Sequence, residues 1–295
     1  MLIYNNVMDQ TIVDQAAGLR RMTKQKPVKV IAVASGKGGV GKTNVSVNLS
    51  LGLIAQGQEV VLFDADLGLA NVDLLLGLHS EVNLSHVIAG ERTLEEIIVE
   101  GPEGLKIIPA SSGTQLMTEL TPAQHAGVIQ SFSELSTPVD VLVVDTAAGI
   151  SDSVISFVRA SHEVIVVVCD EPTSLTDAYA LIKVLNTEYH VQKFNVLANM
   201  VRTPGEGANL FTKLTRATDH YLDATLEYIG AIPYDDYLVK AVKKQRPVMQ
   251  SYPQSPAALA FRQLAKKVDT WPLPDSASGR LEFFVERLIR YSAAG

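Results

Sequence analysis

The nonapeptide SGKGGVGKT, residues 35–43, limits the fold more than any other stretch. It joins the apolar, β-branched run VKVIAVAS (28–35) to a helix-forming pattern that begins at Lys42. A G-x-x-x-x-G-K-[ST] loop between strand and helix wraps backbone N–H groups around a nucleotide's phosphates and aims a helix N-terminus at them. In this loop Gly36, Gly38, Gly39, Val40 and Gly41 supply the backbone, with Asn44 just beyond. Lys42 is placed to reach the β- and γ-phosphate oxygens, and the Thr43 hydroxyl to ligate Mg²⁺. The loop also carries a second lysine, Lys37, which an ordinary phosphate loop does not need.

The rest of the chain supplies a matching scaffold. Strands are predicted at 28–34, 59–64, 105–109, 139–145, 163–169, 194–199 and 227–232, each apolar on both faces, as in a parallel sheet covered by helices on each side. Helices are predicted at 42–56, 121–136, 151–160, 174–190, 206–223, 235–244 and 255–269. Thr121-Pro122 and Ser255-Pro256 read as N-cap and first-turn pairs. The fold class is therefore α/β: a P-loop NTPase with a mostly parallel, twisted sheet. With 47% hydrophobic residues in 295, the chain can bury one large core. Three parts are expected: a basic segment at 1–27, a nucleotide domain at 28–270, and a linker with a last helix at 271–295.

No apolar run approaches the ~18 residues of a membrane-spanning helix, and the start MLIYNNVMDQ lacks a secretory signature. The lone Cys169 excludes an intrachain disulfide and fits a reducing cytoplasm. The net charge of −7 is uneven, because residues 1–29 hold five basic side chains against Asp9 and Asp14. The body between the tails is strongly acidic, which argues against DNA as a partner.

Two acidic strand ends complete the phosphate chemistry. Asp145, in VLVVDTAAG, closes a buried strand at the sheet's carboxyl edge and suits the Mg²⁺ hydration shell. Asp64 and Asp66, in LFDADLGLAN, follow another strand. Asp66 is the better placed to orient an attacking water if Asp64 faces the metal, with capping of the next turn as the alternative for Asp64. Guanine readers place an Asp three residues after an Asn. Asn199 is followed at that spacing by Arg202, so adenine is favoured with Asn199 as a base contact, unless Asn199 only caps its own loop.

KGGVGKT, the DAD after the second strand, VVDTAAG and IPYD (232–235) together resemble the deviant-Walker-A ATPases of the MinD/ParA family, over nearly all of 28–270. The resemblance implies ATP or ADP with Mg²⁺ as cofactors, and Pro233, Tyr234 and Asp235 closing over the adenine. It also implies that Lys37 reaches across a nucleotide-sandwiched homodimer to the partner's phosphates, so that ATP dimerises the chain and slow hydrolysis returns monomers. Catalysis would then rest on Lys37, Lys42 and Asp66, and the metal on Thr43, Asp64 and Asp145. One cysteine cannot bridge an iron–sulfur cluster as nitrogenase-type relatives do. The basic run KAVKKQR (240–246) is the one candidate for DNA, against the commoner outcome of a solvated helix face.

The tails separate the family's branches. DQAAGLRR (14–21) and CDEPTSLTDAYALIK (169–183) resemble the FlhG (FleN) group of flagellar-number regulators. That resemblance implies an FlhF-type, signal-recognition-type GTPase as partner, met through Asp14, Gln15, Leu19 and Arg20. It further implies a flagellar transcriptional activator and flagellar switch proteins as partners. Near the other end, Leu281, Phe283, Phe284, Val285, Leu288 and Ile289 form an apolar stripe on a ~12-residue helix that is marginal alone. It is expected at a membrane interface when ATP pairs two copies, with docking on its own domain as the alternative. The expected location is cytoplasmic and peripherally membrane-associated. A division-site or DNA-partitioning ATPase is the runner-up.

Overall fold

A computed structural model describes residues 27–66, 71–109, 121–274 and 281–292. The chain starts with β1 (Lys29–Ser35), the phosphate loop and α1 (Lys42–Ile54), followed by β2 (Val60–Ala65). Short helices α2 (Asn71–Leu76), α3 (Leu84–Ile88) and α4 (Leu94–Ile97) lead to the edge pair β3 (Val99–Glu100) and β4 (Lys106–Ile108). Then come α5 (Pro122–Ser133), β5 (Val141–Ala148), α6 (Asp152–Ala160), β6 (Glu163–Val168), α7 (Pro172–Thr187), β7 (Lys193–Val201), α8 (Glu206–Tyr221) and β8 (Thr225–Pro233). The last helices are α9 (Asp236–Lys243), α10 (Val248–Ser251), α11 (Pro256–Asp269) and α12 (Leu281–Ser292).

The strand order is β3-β4-β2-β5-β1-β6-β7-β8, parallel throughout except for β3 against β4. The first strand thus lies inside the sheet, and the chain builds outward to both sides of it. That arrangement opens a crevice at the carboxyl end of β1, where ligands bind in such sheets. All seven residues of β1 are buried, as expected of a strand covered on both faces.

Alternate residues of these strands feed opposite layers. Ile31, Val33, Leu62 and Val143 pack under α1 and α11, while Val30, Val61, Phe63 and Val144 pack on the other side. The capping pairs act as read. Thr121 accepts from Gln124 N in a capping box, and Ser255 accepts from Ala258 N. Lys29 is buried in the first strand because its Nζ donates to the carbonyls of Val268 (3.1 Å) and Trp271 (2.8 Å) at the end of α11. A cation there meets the helix's negative end, while burial lowers the ammonium pKa.

The final helix is docked on its own domain, the alternative that the sequence left open. Phe284, Val285, Leu288 and Ile289 are buried in the domain core, with Leu281 packed at its margin. Helix α12 lies across α6 and α5. Of the six residues assigned to a membrane, only Phe283 is exposed. The physical reason is that an apolar stripe does not encode its own destination: a protein groove and an acyl boundary both remove it from water. The Arg159 guanidinium fixes the junction, 3.8 Å from the Tyr291 ring centroid and 4.4 Å from that of Tyr189. Cys169 is buried, as a structural thiol would be. Asp14, Gln15, Leu19 and Arg20 lie outside the described residues.

Candidate nucleotide site

The phosphate loop turns at the crevice through Gly39 (φ 79°) and Gly41 (φ 86°). At Gly41 a Cβ would stand 2.4 Å from Asn199 Nδ2, so the position requires glycine twice over. Gly36 is packed as tightly, since a Cβ there would fall 2.2 Å from the backbone of Asp177 in α7. Between these contacts the loop borders a cavity of ≈ 740 Å³, lined by Lys37, Lys42, Thr43, Asn44 and Asp66 among others. That volume suits a nucleotide-sized ligand.

Behind the loop, Lys42 Nζ lies 3.3 Å from Asp145 Oδ1, and Ser46 Oγ donates to the same oxygen at 2.8 Å. The other oxygen, Asp145 Oδ2, is buried with no hydrogen-bond partner among the described residues. A buried carboxylate oxygen left open is expensive unless something meets it, and a water of a hydrated Mg²⁺ beside Thr43 would do so. Among the described residues no group of three or more His, Cys, Asp or Glu forms a metal cage. The donor set of one hydroxyl, carboxylate, water and phosphate oxygens is the one Mg²⁺ takes in nucleotide sites.

Asp64 makes the capping contacts that the sequence offered as its alternative role. It is fully buried, and its two oxygens accept from Asp66 N (3.1 Å) and Val72 N (3.2 Å). It organises the backbone that leads to α2, the alternative left open by the sequence. Burial, and then the neighbouring Asp145 charge, raise its pKa to about 7. Asp66 is half-exposed at the cavity wall, and Asn71 Nδ2 donates to its Oδ2 at 2.8 Å.

The adenine-side residues divide similarly. Asn199 is buried and gives its amide N–H to Val40 O at 2.7 Å, tying β7 to the phosphate loop. Asp235 uses both oxygens as a cap, accepting from Tyr237 N (2.8 Å) and from Ala257 N (2.9 Å), and so joins α9 to α11. Tyr234 is exposed, with the Arg202 guanidinium 5.0 Å from its ring centroid, and Pro233 ends β8. Met200, Val242 and Gln245 also line the cavity, and no motif assigned them to the nucleotide. Met200 alone carried a signal, as the residue beside a strand-end Asn.

The family model described as "ParA: NUBPL iron-transfer P-loop NTPase" matches residues 26–269. The chain belongs to this ParA family. It is an α/β P-loop ATPase. It is 59% identical to "Antiactivator FleN" of Pseudomonas aeruginosa over 94% of this chain and 99% of that one. It is 35% identical to "Flagellum site-determining protein YlxH" of Helicobacter pylori, with 89% and 90% covered. Among solved structures, the Pyrococcus horikoshii septum site-determining protein MinD, complexed with Mg-ADP, superposes with a TM-score of 0.65 at 26% identity, covering 82% of this chain and 96% of that one. The MinC:MinD cell division complex of Aquifex aeolicus gives 0.66 at 26% identity, covering 84% and 98%.

Proposed function

We propose that this chain is an ATP-driven dimerisation switch that regulates flagellar number and placement. The observation that carries the reading is Lys37, which lines the cavity with a part-exposed ammonium, whereas Lys42 is buried against Asp145. A second cation there is not needed by the phosphates of its own protomer and is available to phosphates that approach from outside. Two such protomers, face to face, each complete the other's site.

Within a protomer the loop backbone and Lys42 would hold the phosphates, and Thr43 with Asp145 would hold a Mg²⁺ that supplies charge neutralisation for phosphoryl transfer. Asp66, steadied by Asn71, orients the attacking water. The exposed Tyr234 beside Arg202 and the Met200 wall receive the base, while Asp235 and Asn199 shape that pocket from behind.

The flagellar assignment draws on the similarity to FleN and YlxH. The partners are an FlhF-type GTPase met through the 1–27 segment, a flagellar transcriptional activator, and flagellar switch proteins. Membrane association belongs to the dimer and requires α12 to leave its groove. Undocking uncovers four core side chains at ~1.5–3 kcal/mol each, and an acyl boundary buries the same stripe again. The balance between these two sinks is small enough for dimer avidity to tip. A deletion strain tests the reading: extra flagella per cell support it, and minicells with normal flagella overturn it in favour of division-site control.

A further inference from the structure

Helix α9 ends on a residue that its backbone does not favour. Arg246 N donates to Ala241 O (3.1 Å) and Gln245 N to Val242 O (2.9 Å), the paired bonds of a Schellman turn. Such a turn needs one left-handed residue, usually glycine, and here Gln245 takes that place with φ 54°. A side chain persists at such a backbone when its surroundings hold it there. Gln245 Nε2 donates to Leu74 O at 3.0 Å, one of the last carbonyls of α2, which the helix itself leaves open. Gly77, just past α2, comes so close that a Cβ on it would stand 3.3 Å from Gln245 Cβ. The ends of two helices far apart in sequence are thereby tied together.

The other end of α2 serves the hydrolytic side of the site. Asn71, its first residue, donates to Asp66 Oδ2 at 2.8 Å, and Val72 N donates to Asp64 Oδ2 at 3.2 Å. A helix of six residues does not hold its own shape. Its direction depends on what it is fastened to: the core through Val72, Leu75 and Leu76, and α9 through Gln245. Asp66, Asn71, Leu74 and Gln245 all line the nucleotide cavity. We propose that Gln245 is a positioning residue for hydrolysis, whose amide fixes α2 and, through Asn71, aims Asp66 at the attacking water. The proposal rests on the reading that Asp66 orients that water. Glycine at 245 would suit the turn better but would leave α2 free to rock on its buried face. The Asp66 carboxylate would then lose orientation while the phosphate loop and Lys42 kept their hold on ATP, so the effect falls on turnover rather than binding.

The test is phosphate release from Mg²⁺-ATP by the full chain, with the ATP-dependent dimer and the thermal midpoint read alongside. Gln245→Gly should lower kcat by about 3- to 10-fold, the scale of one hydrogen bond, with KM within about twofold of the parent. The dimer should persist and the thermal midpoint should not fall, since glycine relieves the left-handed backbone. Gln245→Glu keeps the reach, loses the N–H donor and should lower kcat as much. Asn71→Ala and the Asn71→Ala, Gln245→Gly double variant should share nearly the same kcat, because both cut one path, whereas independent losses would multiply. An unchanged kcat in Gln245→Gly overturns the proposal, and so do multiplied losses in the double variant. A loss carried by KM or by the dimer would make Gln245 a nucleotide or partner contact instead, and a loss that tracks a falling thermal midpoint would make the tie merely structural. A parental kcat in Gln245→Glu would lay the glycine effect on backbone freedom and overturn it as well. If Asp66→Ala turns over at the parent's rate, the reading of Asp66 fails and takes this proposal with it.

Discussion

Asp64 and Asp145 are register partners on the neighbouring parallel strands β2 and β5, so two fully buried carboxylates stand side by side behind the phosphate loop. They are not equivalent. Asp145 has the Lys42 ammonium and the Ser46 hydroxyl, whereas Asp64 has, among the described residues, two backbone N–H groups and a like charge beside it. Its pKa of about 7 lies above the ordinary carboxylate value. Between pH ~4 and ~7 the folded protein therefore binds a proton that the unfolded chain has released, and stability falls as pH rises through that window. The loss is at most ~4 kcal/mol. Urea unfolding without nucleotide or Mg²⁺ should show this slope, and Asp64→Asn should flatten it. Saturating Mg²⁺-nucleotide should flatten it too, since a cation favours the ionised carboxylate.

Gly41→Ala should disable the loop without unfolding the sheet. Its positive φ costs ~1–3 kcal/mol for a residue with a Cβ, and the added methyl displaces the Asn199 amide that holds Val40. Isothermal titration should find ATP affinity lowered at least about tenfold, with the far-ultraviolet circular dichroism spectrum unchanged.

Asp235→Ala separates capping from base recognition. Losing two helix-end acceptors, one of them to a buried N–H, should destabilise the chain by ~2–4 kcal/mol in chemical denaturation. ATP affinity at a temperature where the variant is folded should change by less than about threefold. A tenfold loss of affinity with full stability would assign Asp235 to the base instead.

Phe284→Ala probes the docked helix. The side chain is completely buried among core residues, so truncation should cost ~3–5 kcal/mol if α12 unfolds together with the domain. A cost below ~1 kcal/mol would mean that the helix leaves its groove before the domain unfolds.

These residues also show where the sequence was legible. The phosphate loop, its strand and its helix are contiguous, so spacing alone locates Lys42 and Thr43, and the doubly apolar runs locate the central strands to within a few residues. Asp145 was legible because it closes such a run. The short helices α2, α3, α4 and α10 and the two-residue β3 escaped, being shorter than the two turns or the alternation that periodicity needs. Asp235, Asn199 and Asp64 were found as polar residues at strand ends, but their partners lie at Ala257, Val40 and Val72, and pairing at a distance leaves no local mark. The tie from Gln245 to Leu74 spans 171 residues and was invisible for the same reason. For α12 the stripe was plain and its destination was not.

The central claim is that ATP, through Lys37, is a dimerising ligand. Analytical ultracentrifugation of Asp66→Ala with Mg²⁺ and either ADP or ATP tests it most directly. The expected outcome is a monomer with ADP, a stable dimer with ATP, and a monomer under both conditions once Lys37→Ala is added. A chain that stays monomeric with saturating ATP, or a dimer that survives Lys37→Ala, would contradict it.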